Sequence, residues 1–536
     1  MRRTERSKTE ATTSRWTIWA AVSVLLACAA CDSKPHDVAE QPSEFSDQGF
    51  TRFEVVLKPV RERGTDVTAV EVRYELTGDI LSGETLSLRS PIVYAGRTDM
   101  ADSVAELVIH DGAGVVGLAV QDDPEHPGGF PYFRHWRSDR PVTSPVMVSY
   151  RVSPAKTRSP GPQFDFYAHD GGFSTGGMAL FVLPEDRRLV GDAAWNVSWD
   201  LSDLAPGSIS ASTHGDGDFE VQGEAERLIN AYYMVGPIGR FHSPDEKLSF
   251  HAYWLGQTVF DVPREMAWVS EAYGYLRDFF QDDETPSYRV FVRALQGSGG
   301  GTALHNSFML AVDPGDPDSS AESPRGTIFH EMGHMFVGNL LSTENPRGST
   351  WFAEGLNVYY TRLLLLRSGL APVSNYLESI NSTSRRYYSN PYRNESAAEL
   401  DRLGFSTGVG EGSAQNVPYT RGSLYFASVD AKIRLASNGA HTLDDVILPL
   451  FELRRNDEPL TEDRLVDALI QEIGFSARDE FESIIVNGDV VVPDPGAFGP
   501  CFDRSPAVFT LDDGSELEGY EWFRIESVPD EECRKY

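Results

Sequence analysis

Residues 327–340 read TIFHEMGHMFVGNL, and no other stretch limits the fold as much. His330 and His334 are four apart, which on an α-helix places them one turn along the same face. A helix here therefore sets two imidazoles side by side, with Glu331 next to them and off their line. Ile328, Phe329, Met332, Phe336 and Val337 fill the rest of the surface, so the helix has to be buried. Two imidazoles at this spacing suit one divalent metal, zinc above all, and the adjacent carboxylate can take a proton from water that the metal polarises. The bland alternative is a solvated pair of histidines on a helix surface. No other two of the chain's twelve histidines share metal-ligand spacing.

A tetrahedral site needs a third protein ligand. Glu344 and Glu354 lie downstream. Glu344 falls in a loop rich in Asn, Pro and Gly and reaches the histidines only if that loop folds back. Glu354 stands at the start of a second helix, WFAEGLNVYYTRLLLLRS, which Gly369 stops. Antiparallel packing of the two helices would aim Glu354 at the histidines, so it is the better-placed ligand. Its alternative role is a first-turn glutamate favoured by the helix dipole.

A net charge of -33 excludes a nucleic-acid binder, which carries a basic footprint, and reads as a solvated surface. The run QGSGGGT has neither a phosphate-loop lysine nor dinucleotide-binding spacing, so no nucleotide is expected. Gly299, Gly300 and Gly301 either let a substrate backbone approach a strand or form a tight turn.

The N-terminus is different in kind. Arg2, Arg3, Arg6, Lys8 and Arg15 precede the apolar run WTIWAAVSVLLACAA, which is short for a bilayer span. The segment LLACAACDS resembles a bacterial lipoprotein signal, in which a cysteine behind small residues is cut and lipidated. Cys31 fits better than Cys28, and an ordinary cleaved signal peptide is the alternative. An exported protein of the bacterial cell envelope, held to the membrane by a lipid anchor, is expected.

The texture of the chain divides it into a signal (1–31), a polar tether (32–47), a β domain (48–242), a catalytic α+β domain (243–371), a helical domain (372–490) and a tail (491–536). Short alternating runs such as TRFEVVLKPV, AVEVRYEL, PVMVSYRV and GMALFVLP mark the β domain as sandwich-like. Cys501 and Cys533, the only cysteines beyond the signal, read as a structural disulfide closing that tail.

With these residues on the page, the chain resembles the gluzincin peptidases. HEMGHMFVGNL followed by WFAEGLNVYY looks like the alanyl-type aminopeptidases, although one residue more separates His334 from Glu354. The stronger resemblance is to the glycyl aminopeptidase family, through GSGGGTALHNSFML and VPYTRGSLYFASVDAKIRLASNGAHTLDDVILPLFE. That family implies a thermolysin-like α+β catalytic domain, one zinc ion on His330, His334 and Glu354, and Glu331 as general base. It implies Tyr419 as donor to the oxyanion, with core packing as that tyrosine's alternative role, and Gly300, Gly301 and His305 along a substrate strand. The substrate is expected to be a peptide or protein. Where the family strand carries a glutamate ahead of its histidine, suited to a free amine, this chain reads Thr302-Ala303-Leu304-His305. Endopeptidase action is therefore an open alternative, as is a catalytically silent lipoprotein that binds peptides. The residues after Val490 are too few for the family's usual PDZ domain.

Overall fold

The structure is a computed structural model that describes residues 51–536 except 63, 79–82, 127–130, 157–162, 246, 283–286, 298, 316–323, 338–349, 409, 457 and 512–513. The expected signal and tether, with Cys28 and Cys31, lie outside the described residues, as does Glu344. Among the described residues no helix is long and apolar enough to cross a membrane.

The N-terminal region is β-rich. Thr51–Arg61 alternates buried and exposed residues, burying Phe53, Val55 and Leu57, and it lies in a seven-stranded sheet. A four-stranded sheet that includes Thr85–Val93 and Tyr132–Pro141 shares one core with it, through Leu86, Leu88 and Trp136. The segment GMALFVLP departs from the strand expectation. It makes a 3-10 turn at Gly177–Ala179 and a two-residue bridge at Leu183–Pro184. All eight residues are buried, so the alternation that suggests a half-exposed strand is absent, and a Cβ at Gly177 would stand 1.9 Å from the Leu228 carbonyl oxygen.

The central sheet has five strands in the order Gly239–His242, Phe250–Leu255, Tyr288–Ala294, Ser307–Val312, Gly300–Leu304. The middle three are parallel and the outer two antiparallel to their neighbours. Gly239–His242, placed with the β domain by its texture, belongs by its hydrogen bonds to this sheet. Alternation sends the side chains to two faces. Phe250, Ala252, Val290, Val292, Phe308 and Leu310 meet the helices, whereas Tyr253, Phe291 and Met309 meet Tyr232, Met234 and Ala211 of a third, five-stranded N-terminal sheet. The central sheet is thus enclosed between helices and strands.

Val262–Phe280 is the first helix on this sheet, capped by Asp261, whose side chain accepts from the Arg264 amide. The C-terminal region is mainly helical. A single apolar core runs from Phe250 to Tyr536, so the catalytic, helical and tail segments share one interior where the sequence suggested three units. The tail itself is a hairpin, Phe502–Thr510 paired with Glu516–Arg524. It docks on the helix Val373–Tyr388, where Asn381 exchanges two hydrogen bonds with the backbone of Trp522. A Cβ at Gly519 would meet the Tyr388 ring at 2.2 Å. Cys501 and Cys533 are disulfide-bonded, 32 residues apart. In the chain-entropy account a loop of that length contributes about 3–4 kcal/mol.

Candidate active site

The helix Arg325–Val337 follows Pro324 and buries Ile328, Phe329, Met332, Phe336 and Val337, all at 2% exposure or less. Its start is fixed by Arg325, which pairs with Glu265 at 2.7 Å and covers the Trp268 ring. The second helix, Thr350–Arg367, ends before Gly369, whose φ of +74° stops it.

Between these helices three donor atoms close a triangle. His330 Nε2 and His334 Nε2 are 3.2 Å apart, and Glu354 Oε2 lies 3.3 Å from each. Glu354 is 0% exposed and His334 8% exposed. A tetrahedral ion with bonds of about 2.0–2.1 Å has ligand atoms about 3.3 Å apart, so the triangle matches one face of a zinc site. Among the described residues no other group of three or more histidines, cysteines or carboxylates converges in this way. The electrostatics agree. Burial works to raise the Glu354 carboxyl, but His334 and His330 beside it bring it down to about 2. Burial likewise lowers the His334 imidazole, and Glu354 more than reverses this, leaving it raised. A fully buried carboxylate that stays ionised beside two imidazoles is a seat for a cation.

Three glycines explain how the helices come so close. A Cβ at Gly333 would stand 2.0 Å from Asn357 Oδ1, and one at Gly355 would stand 2.5 Å from Gly422 Cα. One at Gly422 would reach the Trp351 carbonyl oxygen at 2.3 Å. Gly422 belongs to a third helix, Val417–Ala436, so the two histidines, Glu354 and Tyr419 ride on helices packed nearly backbone to backbone. Arg421, 2% exposed, ties this third helix to the carbonyls of Arg393 and Glu395.

Asn357 is a site residue that motif reading passed over. It is fully buried, one turn beyond Glu354, and its Nδ2 donates to the His330 carbonyl at 2.7 Å. Holding the backbone of a ligand in this way fixes the orientation of the ligand. The available signal was a lone amide in an apolar helix, three residues beyond the metal-ligand glutamate.

Glu331 is 1% exposed and follows His330 directly, three residues before His334 on the same helix. Tyr419 stands in the first turn of its helix with its ring nearly parallel to that of His330, centroids 6.4 Å apart. Burial, and then the charge of Glu354, push its phenol well above the ordinary value. It is therefore a donor at any working pH.

The strand Gly300–Leu304 is the outermost of the central sheet on the side of the histidine helix. Gly300 has a φ of +94°, which requires glycine. Gly301 is glycine for another reason than close approach of a substrate: a Cβ there would meet the Phe308 ring at 2.1 Å. His305 lies one residue beyond the strand, exposed in the turn to Ser307, with its Nε2 3.0 Å from Asn306 Nδ2. The structure thus does not place it along the strand.

Residues 333–424 match the model of the M61 glycyl aminopeptidase family, a span that holds His334, Glu354 and Tyr419. The chain carries the site of a zinc metallopeptidase. Its fold is similar to that of an aminopeptidase N family protein from Idiomarina loihiensis, with a TM-score of 0.68 at 17% identity over 87% of this chain and 81% of that one. Weaker overlaps are with yeast LTA4 hydrolase (TM-score 0.49, 14% identity, 83% and 69% covered) and an M1 zinc metallopeptidase from Deinococcus radiodurans (0.46, 13%, 83% and 96%). No curated protein sequence matches. A β-rich N-terminal region joined to a helical C-terminal one is the shared architecture.

Proposed function

We propose that this chain is an exported, aminopeptidase-like zinc metallopeptidase that holds one zinc ion on His330, His334 and Glu354. The closed triangle of donors around a buried, ionised Glu354 carries that reading. Zinc held there supplies Lewis acidity to the scissile carbonyl and lowers the pKa of the attacking water towards about 7. Glu331 takes the water's proton and returns it to the leaving amine. Tyr419 donates its hydroxyl to the oxyanion that forms as the carbonyl is attacked. The strand Gly300–Leu304 receives the peptide in extended form, as an added strand.

The substrate end is where a second reading has support. Leu304, directly ahead of His305, is partly buried against the cluster of Tyr253, Phe291 and Met309 and offers nothing to a free amine. This favours peptides bound by their backbone and apolar side chains, with endopeptidase action as the second reading. Export and a lipid anchor rest on the basic, apolar and small-residue succession that ends at Cys31. Labelled fatty acid should enter the wild-type chain and not Cys31→Ser; equal labelling would remove the anchor.

The activity is tested with a peptide library carrying free and blocked N-termini. Wild-type protein should cleave it, and Glu331→Gln should keep its zinc while losing about 10²–10⁴-fold in kcat. Cleavage confined to free N-termini selects aminopeptidase action, and equal cleavage of blocked peptides selects the endopeptidase. A zinc-loaded wild-type protein that cleaves nothing would leave only a peptide-binding role.

A further inference from the structure

Gly300–Leu304 is a poor strand to leave at a sheet edge. Glycine loses the most conformational freedom on ordering, and an outermost strand has a ladder on one side only. A template for an extended substrate has to be ordered before the substrate arrives, or binding bears the entropy of ordering it. Something beyond the sheet must therefore hold this strand.

Residues of the N-terminal region do so at three points. The Gln163 backbone N–H donates to Thr302 Oγ1 at 2.9 Å, and Gln163 Nε2 donates to the Gly299 carbonyl at 2.9 Å. The Tyr232 hydroxyl donates to the Thr302 carbonyl at 2.9 Å. At the turn end, Thr213 Oγ1 and Ser307 Oγ are 2.8 Å apart, and the Ser307 hydroxyl donates to the His305 carbonyl. Gln163, Thr302 and Tyr232 are each 0% exposed, so none of these bonds exchanges freely with water.

The holding residues are themselves held. Arg293, also 0% exposed, donates through Nε and Nη2 to Gln163 Oε1 and through Nη1 to the Asp165 carbonyl. Its guanidinium lies over the Tyr167 ring, and Asp165 pairs with Arg97 at 3.2 Å. The Gln163 side chain, with its oxygen taken by Arg293 and its nitrogen by Gly299, has one orientation. Tyr232 is fixed through its backbone amide, which donates to Thr213 Oγ1.

We infer that Gln163 and Tyr232 are positioning residues for peptide hydrolysis: from the N-terminal region they pre-order the strand Gly300–Leu304 as the template for an extended substrate. The inference rests on the reading of this strand as the substrate strand. It assigns the N-terminal sheets a part in catalysis although they contribute no metal ligand or base.

Tyr232→Phe removes one hydroxyl and keeps the ring, and Gln163→Glu keeps the oxygen that Arg293 uses and removes the donor to the Gly299 carbonyl. Each variant is assayed with a single-residue chromogenic amide and with a six-residue peptide, alongside zinc content and hydrogen exchange of the strand amides. For the hexapeptide KM should rise about three- to tenfold, the worth of one hydrogen bond, with kcat little changed. The single-residue amide, which touches little of the strand, should change by less than about twofold on the same scale. Zinc content should not change. Exchange should quicken over residues 300–304 and not in the histidine helix. A fall in kcat shared equally by both substrates, or unaltered exchange over residues 300–304 in both variants, would overturn the inference. The exchange measurement reads the clamp even in a protein that hydrolyses nothing, so it separates failure of the clamp from failure of the peptidase reading.

Discussion

The metal ligands and Tyr419 sit on helices that close on one another at glycines, whereas the strand beside them is fixed by residues reaching across from the N-terminal region. At the helices, Gly333, Gly355 and Gly422 leave no space for a Cβ, so ligand positions follow from backbone packing within one apolar core. At the strand, Gln163, Tyr232 and Thr213 supply polar contacts from more than sixty residues upstream of it. The chemical half of the site is thus built from helices of one apolar core, and the template half depends on partners in the N-terminal region. Changes to the first should abolish chemistry or folding. Changes to the second should alter the affinity for longer substrates.

The largest of these effects is expected at Tyr419. Tyr419→Phe should lower kcat about 10²–10³-fold while zinc content and KM stay near wild type, because it removes a donor to the oxyanion. A KM effect of that size with kcat preserved would instead place the tyrosine in ground-state binding.

Next in size is the packing of the helices. Gly422→Ala places a methyl group against the Trp351 carbonyl and Gly355, where neither backbone can give. It should cost about 1–3 kcal/mol in unfolding experiments and weaken zinc retention with it. Gly299→Ala, at the strand, serves as the comparison and should leave zinc retention unchanged.

The smallest effect is a pH dependence on the strand side. Burial first, then the charges of His305, Arg227 and Arg289, hold His214 down at about 4 against its hydrogen bond to the Arg227 carbonyl. Burial, Arg289 and His242 hold His251 at about 4, with Asp216 opposing them. Both are neutral in the folded protein at neutral pH and have an ordinary value of 6.5, so between about 6.5 and 4 the unfolded chain binds more protons. Stability is complete above 6.5 and falls as pH drops towards 4, by on the order of 1–2 kcal/mol. Glu354, at about 2, remains ionised throughout this window. His214→Gln, which keeps a donor for the Arg227 carbonyl, should show a shallower acid loss in thermal melts; an unchanged slope would assign the loss elsewhere.

The helix half was legible in sequence because its chemistry is local. His330, Glu331 and His334 lie within five residues, and the apolar residues between them declare the buried face. Glu354 could be found because it opens the next helix, and Gly369 marks where that helix stops. Tyr419 came from resemblance and not from spacing, since nothing local distinguishes it from a core tyrosine. Legibility failed wherever a residue answers to a distant partner. Gly301 looked like room for a substrate backbone and is room for Phe308, two residues past the turn. Gly239–His242 carried the texture of the β domain and hydrogen-bonds into the central sheet. The tail looked like a simple loop closed by Cys501 and Cys533, yet its hairpin completes the helical core through Trp522 and Phe509. Asn357, silent as a motif, is read only when the His330 carbonyl is seen to accept from it.

The central claim is that His330, His334 and Glu354 together hold one zinc ion, and metal analysis of the purified protein tests it most directly. Wild-type protein should carry about one equivalent of zinc, and Glu354→Ala, with a folded circular dichroism spectrum, should carry almost none. Full zinc occupancy in folded Glu354→Ala, or none in the wild type after loading with zinc, would contradict it.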